Sequence, residues 1–371
     1  MSKPKYLYID DENDDSVSAV RDGFNDENLI EVSVEQPQDF KSQIKDLIVK
    51  LNDYDGLILD FRLNQNMQLD VAYNAPAIAQ ELRMSVAEPE INVKSIPIIL
   101  CSTDERMRAT YDADMTSHDL FDYKFLKGDE PDWERFSRKL NSLAIGYKYL
   151  NEAERSFEDV IKRSDTTGLD PRIIERFKDP ARKYLSYDFA NFIVKSLFNH
   201  PGALIKERVL AARLGVDIEA SGQDWSELLD KLNDYKYKGL FSDGWNRWWM
   251  DKINIVFKEI SKGKRLSNTN AQQRVAILSE FYALKNLKAA EPIRYCTSTS
   301  YWTICEETKR PLDPLDGFKV FETVELKSWQ EPKYLSFYAI ADAGIKRKGL
   351  REQFIEKERI QYMKESLKNE N

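Results

Sequence analysis

Five short apolar runs, spaced by longer amphipathic stretches, limit what the first third of this chain can become. KYLYI (5–9), LIEVSV (29–34), GLILD (56–60), IPIILC (96–101) and YKFL (123–126) have the length and the aromatic or β-branched character of strands. Between them lie segments with helical spacing. These are 14–24, then 37–52 with Phe40, Ile44, Leu47, Ile48 and Leu51 at helical intervals, then about 74–84, and a last one from about 131. Strands that alternate with helices imply a parallel sheet covered on both faces. Runs such as GLILD and IPIILC lack polar alternation, which fits burial on both faces. The expected fold is α/β, a doubly wound five-stranded parallel sheet.

In such a sheet, ligands gather at the carboxyl ends of the strands. The first run ends in Asp10 and Asp11, the third in Asp60, the fourth in Ser102 and Thr103, and the fifth in Lys127. Carboxylates gathered at one rim repel one another unless a hard cation sits among them. Mg²⁺ prefers one or two carboxylates together with water and phosphate oxygens. A carboxylate in that setting can be a nucleophile towards phosphorus, and a lysine and a hydroxyl can hold the phosphoryl oxygens.

YIDDE, LILDFRL, PIILCST and KFLKG follow in that order on those elements, and with them residues 1–140 resemble the receiver domain of two-component response regulators. The resemblance implies a flavodoxin-like sheet of order 2-1-3-4-5. It implies that Asp60 is the phosphoacceptor, assisted by Ser102 and Lys127. It also implies Mg²⁺ held by Asp10, Asp11, Asp60 and the main-chain carbonyl of Arg62, and a histidine kinase or phosphotransfer protein as the donor. The sequence departs from the family in four places. Gly128 follows Lys127 where receivers usually carry Pro, and Ser102 lies 42 positions after Asp60, more than the family's usual spacing. FRLNQNMQLD replaces the Gly-containing turn after the acceptor. The aromatic switch position falls on Lys124 by strict offset, with Tyr123 and Phe125 on either side. A receiver that serves only as a docking platform is the alternative reading.

From about residue 146 the pattern is helical, and it resembles no family. The expected division is a receiver-like domain over 1–145, a helical linker over 146–180 with a break at DTTGLDP (165–171), and a mainly helical output domain over 181–371 with a small C-terminal sheet. Helices are expected near 180–199, 205–214, 224–235, 245–260, 270–288 and 346–368. Strand-like runs cover 293–305, 318–326 and 334–341. Trp245, Trp248, Trp249 and Ile253 would line one core-filling helix face. HPGALIKERVLAARLGVD (200–217) has the spacing of part of a helix-turn-helix. Asp316, Glu325 and Lys327 are similar to the metal-site core of PD-(D/E)xK nucleases, although only eight residues separate the two acids. Cys101, Cys296, Cys305, His118 and His200 are too few for a closed zinc site, and the cysteines read as core thiols.

Charge separates the two parts. Residues 1–140 carry a net charge of −13 and the remainder +5. That basic excess is too small to favour nucleic acid as the partner. No run approaches the ~18 apolar residues of a membrane span. The acidic start is unlike a signal peptide, and three cysteines suit a reducing, cytoplasmic setting. The expected activity is a response-regulator-like signalling protein whose output is a protein–protein contact, with no enzyme activity beyond the chemistry at Asp60. A phosphorylation-gated nuclease and an atypical DNA-binding transcriptional regulator are the alternatives.

Overall fold

The computed structural model describes residues 2–12, 15–63, 73–88, 90–103, 119–127, 131–179, 181–322, 324–341 and 350–369. The chain divides into two compact units. The first is built from residues 1–164, 174–195 and 238–245, and the second from 165–173, 196–237 and 246–371.

The first unit holds the expected sheet. Strands β1 (Lys5–Ile9), β2 (Glu31–Glu35), β3 (Gly56–Asp60), β4 (Ile98–Thr103) and β5 (Tyr123–Lys127) run all-parallel in the order β2-β1-β3-β4-β5, the flavodoxin-like order. Helices α1 (Asp15–Asp26), α2 (Phe40–Lys50), α3 (Ala75–Ala87) and α4 (Trp133–Glu152) accompany it. Leu7, Leu57, Leu59 and Leu100 are fully buried against Leu47, Ile78 and Ala79 of α2 and α3. Each such aliphatic side chain contributes about 1.5–3 kcal/mol relative to exposure. At the amino end of the sheet Asp122 accepts hydrogen bonds from Arg83 (2.7 Å), Ile98 N (2.8 Å) and Tyr147 Oη (2.6 Å), which ties α3 and α4 to β4. Residues 104–118 between β4 and β5, His118 among them, lie outside the described residues, as do most of FRLNQNMQLD and Gly128.

Later parts of the chain complete this unit. After α5 (Phe157–Ile161) and α6 (Pro171–Glu175), α7 (Ser186–Asn191) runs into a π-helix, Phe192–Leu197. Tyr187 of α7 lies under the Arg83 guanidinium, 4.0 Å from its ring centroid. Residues 238–245 lie along α4. A Cβ on Gly146 would come within 2.3 Å of the Phe241 ring, so only glycine permits that approach.

The second unit is mainly helical. It contains α8 (Glu207–Leu214), α9 (Ile218–Ser221), α10 (Gln223–Lys231), α11 (Met250–Ile260), α12 (Ala271–Tyr282), α13 (Phe337–Ala341) and α14 (Lys357–Asn369). Three two-stranded sheets accompany them: β6 (Leu204–Ile205) with β7 (Trp248–Trp249), β8 (Thr303–Ile304) with β9 (Pro311–Leu312), and β10 (Gly317–Lys319) with β11 (Tyr334–Ser336). The Gly turn after α8 is present, with Gly215 at φ 75° capping the helix. Nearly every residue of α8 faces the core, Arg213 included, and Arg213 is spent on Trp302 O and Glu331.

Several expectations fail here for identifiable reasons. The tryptophans do not share a helix face. Trp248 and Trp249 are both buried, but they pair with Ile205 and Leu204 as the short strand β7. Trp245 belongs to the first unit, and the helix begins only at Met250. The run 293–305 contributes only Thr303–Ile304 to a strand; earlier in it, Thr297 N and Ser298 N bond Asp316 Oδ2 instead of a neighbouring strand. The run 334–341 changes from strand to helix at Phe337, where Ser336 Oγ accepts from Ala339 N as an N-cap does. The C-terminal helix starts at Lys357, after a turn of 3₁₀ helix at Phe354–Glu356. Among the described residues, no helix is long and apolar enough to cross a membrane.

Candidate functional site

Parallel register brings the strand ends to one rim. Asp10 follows β1 directly, Asp60 closes β3, Ser102 sits near the end of β4, and Lys127 closes β5 opposite Thr103. Carboxylate oxygens of Asp10, Asp11 and Asp60 lie within 4.8 Å of one another, and all three residues are buried. Among the described residues this is the sole grouping of three potential metal ligands.

Lys127 holds the group together. Its ammonium donates to Asp10 Oδ2 at 2.7 Å and lies 2.9 Å from Asp60 Oδ1. Burial alone would depress this ammonium, but the Asp60 and Asp10 carboxylates outweigh it and hold Lys127 above its usual range. Asp60 is raised as well. Burial, opposed by Lys127 and reinforced by the charge of Asp10, pushes its carboxyl up to about 6. Burial also keeps the Cys101 thiol protonated. The backbone N–H of Arg62 donates to Asp60 Oδ2 at 3.0 Å, which orients this carboxylate. Ser102 is fully buried, and its Oγ has no hydrogen-bond partner among the described residues.

This donor set suits a small hard cation. Ligand oxygens on one octahedral Mg²⁺ sit roughly 3–4 Å apart, and the ion keeps several waters, so three carboxylates on a 4.8 Å scale can share it directly or through water. The raised carboxyl of Asp60 says the same thing energetically: its negative charge is under-compensated by Lys127 alone.

The sequence reading overlooked one residue at this site, Tyr8. Its hydroxyl donates to Asp10 Oδ2 and lies 3.8 Å from Cys101 Sγ. The signal was available: Tyr8 and Asp10 are two apart along an extended chain, hence on one side of it. The ambiguous aromatic position also divides cleanly. Phe125 is buried beside Phe24, with centroids 5.3 Å apart, while Tyr123 meets Trp245 edge to face at 5.9 Å and accepts from Lys139 Nζ at 3.0 Å. Lys124 is exposed.

The residues similar to a nuclease core are differently employed. Asp316 caps two backbone N–H groups, whereas Glu325 and Lys327 are exposed on an irregular segment with no strand beneath them. Cys296 and Cys305 are free thiols, and Cys305 Sγ accepts from Ser336 N at 3.3 Å. His200 Nε2 lies 3.3 Å from Glu322 Oε1.

No protein-family model matches the chain, and no curated protein matches it. Among solved structures it is similar to a phosphorylated cyanobacterial phytochrome response regulator, with 14% identity, 42% of this chain and 97% of that chain covered, and a TM-score of 0.23. A likeness at that score says nothing about chemistry, and the fold rests on the strand order.

Proposed function

We propose that the first unit is a phosphorylatable receiver in which Asp60 is the acceptor. The carrying observation is the arrangement around it: Asp60 beside Asp10 and Asp11, with Lys127 Nζ 2.9 Å from its carboxylate and a buried, unpartnered Ser102 hydroxyl on the next strand. A phosphohistidine of a kinase or phosphotransfer protein, or a small acyl phosphate, supplies the phosphoryl group. An Asp60 oxygen forms the new P–O bond as the bond to the leaving group breaks, and the leaving imidazole or carboxylate departs with its electron pair. Arg62 N–H holds the other Asp60 oxygen and so aims the attacking one. Lys127 trades its bond to Asp60 for the incoming phosphoryl oxygen, and Ser102 gains the acceptor it lacks. Asp10 and Asp11 would hold Mg²⁺, with the Arg62 carbonyl implied by the resemblance as a further ligand. When bound, the ion offsets charge on the phosphoryl oxygens.

The remainder of the chain is read as an output module that contacts a protein. The exposed, non-strand placement of Glu325 and Lys327 favours this over phosphate cleavage. The test is direct. Beryllofluoride with Mg²⁺ should shift the amide resonances of β3 to β5, and acetyl phosphate with Mg²⁺ should add one phosphoryl mass. Both effects should vanish in Asp60→Asn. A response that persists in that variant, or none in the parent chain, rejects the assignment.

A further inference from the structure

Asp10 carries more hydrogen bonds than a metal ligand needs. Its Oδ2 accepts from Lys127 Nζ at 2.7 Å and from Tyr8 Oη, and its Oδ1 accepts from Glu12 N at 2.9 Å. An ionised carboxylate offers about four lone-pair directions. Three are taken, both of those on Oδ2 among them, and the remaining one is on Oδ1. Tyr8 is fully buried, so its hydroxyl has no water to turn to. Two residues earlier on the same strand, Tyr6 is equally buried but gives its hydroxyl to a main-chain acceptor, Leu140 O, at 2.6 Å. The two tyrosines therefore differ in what they hold: Tyr6 anchors α4, and Tyr8 anchors a functional carboxylate.

We propose that Tyr8 is a positioning residue for the acidic site: its hydroxyl keeps Oδ2 of Asp10 turned into the protein, so that Oδ1 is the atom presented to a divalent cation. The inference rests on the receiver reading above. It also explains why Lys127 alone does not suffice. In that reading Lys127 turns from Asp60 to the phosphoryl oxygens, and Tyr8 is the side-chain donor to Asp10 that takes no part in that exchange. Groups that orient a metal ligand from behind typically change metal affinity 10- to 100-fold when removed.

The experiment is a Mg²⁺ titration of the full chain, followed by amide shifts of β1 and β3, in the parent protein and in Tyr8→Phe, Tyr6→Phe and Asp11→Ala. Tyr8→Phe should raise the half-saturating Mg²⁺ about tenfold. Tyr6→Phe removes a buried hydroxyl from the same strand, so it carries any general loosening of β1, and it should stay within about twofold. Tyr8→Phe within about twofold of the parent, or Tyr6→Phe shifted as far as Tyr8→Phe, overturns the positioning role while the receiver reading stands. A parent chain that does not respond to Mg²⁺, or an Asp11→Ala that responds equally, removes the receiver reading and this inference with it.

Discussion

Asp60 is stored in its folded site at a cost, and Asp60→Asn should reveal it. The carboxyl titrates near 6 in the fold, against about 3.9 in an unfolded chain. The folded state therefore binds the Asp60 proton more tightly than the unfolded state does. Stability contributed by this group is complete below about pH 4, falls as the pH rises through about 6, and is flat above that. Two pKa units correspond to about 3 kcal/mol. Asparagine keeps the shape and carries no charge, while Lys127 retains Asp10 at 2.7 Å. In chelator at pH 7.5, Asp60→Asn should thus stabilise the first unit by up to about 3 kcal/mol, and the gain should shrink to about 1 kcal/mol near pH 4.5. Saturating Mg²⁺ should narrow the gap at pH 7.5, because the ion compensates the carboxylate only in the parent chain. Protection of β1, β3 and β4 amides in native-state hydrogen exchange reads this unit separately from the second one. Equal or lower protection in Asp60→Asn at pH 7.5, or a gap that does not depend on pH, would refute the reasoning.

Asp122→Ala should destabilise the first unit by about 3–5 kcal/mol, since it strands the Arg83 guanidinium, whose side chain is 10% exposed, and orphans Tyr147 Oη and Ile98 N. Replacing both partners, Arg83→Met with Asp122→Leu, should recover much of that loss in the same exchange measurement; a double variant as unstable as the single one contradicts the ion-pair account. In the second unit, Glu325→Ala and Lys327→Ala should each change the thermal unfolding free energy by no more than about 0.5 kcal/mol. Neither should alter plasmid nicking, which should not exceed the buffer background in the parent chain. Cleavage that disappears in Lys327→Ala would restore the nuclease alternative.

The first unit was legible because its central strands β1, β3 and β4 are buried on both faces. Uninterrupted runs such as GLILD and IPIILC have no other stable use, and a carboxylate at the end of such a run must sit at a rim. Asp10, Asp11, Asp60, Ser102 and Lys127 could therefore be located from order alone. An aromatic residue in a strand reads as core; the two-residue spacing puts Tyr8 and Asp10 on one side of β1 but does not tell whether the hydroxyl meets the carboxylate or, as in Tyr6, a carbonyl. The second unit was harder for a related reason. Its strands are two or three residues long, too short for any periodicity, and its longer apolar runs are held by side-chain caps such as Asp316 and Ser336. Tertiary pairing with Leu204 and Ile205, distant in sequence, made a strand of Trp248 and Trp249.

Residues 238–245 bear on how the protein is made. They complete the first unit, with Phe241 against Gly146 and Trp245 against Tyr123, yet they leave the ribosome roughly 80 residues after that unit's main body ends at Ser164. At 5–20 residues per second this is an interval of about 4–16 s. Throughout it the sheet can close and the rim with Asp60 can assemble, while the side of α4 that carries Gly146 waits for its cover. A nascent chain in that interval offers a bare, glycine-lined helix surface to anything nearby, chaperones included. A stop codon anywhere between 165 and 237 would make the exposure permanent. Truncation in that window should therefore cost solubility more than a cut at 250, which leaves the first unit whole.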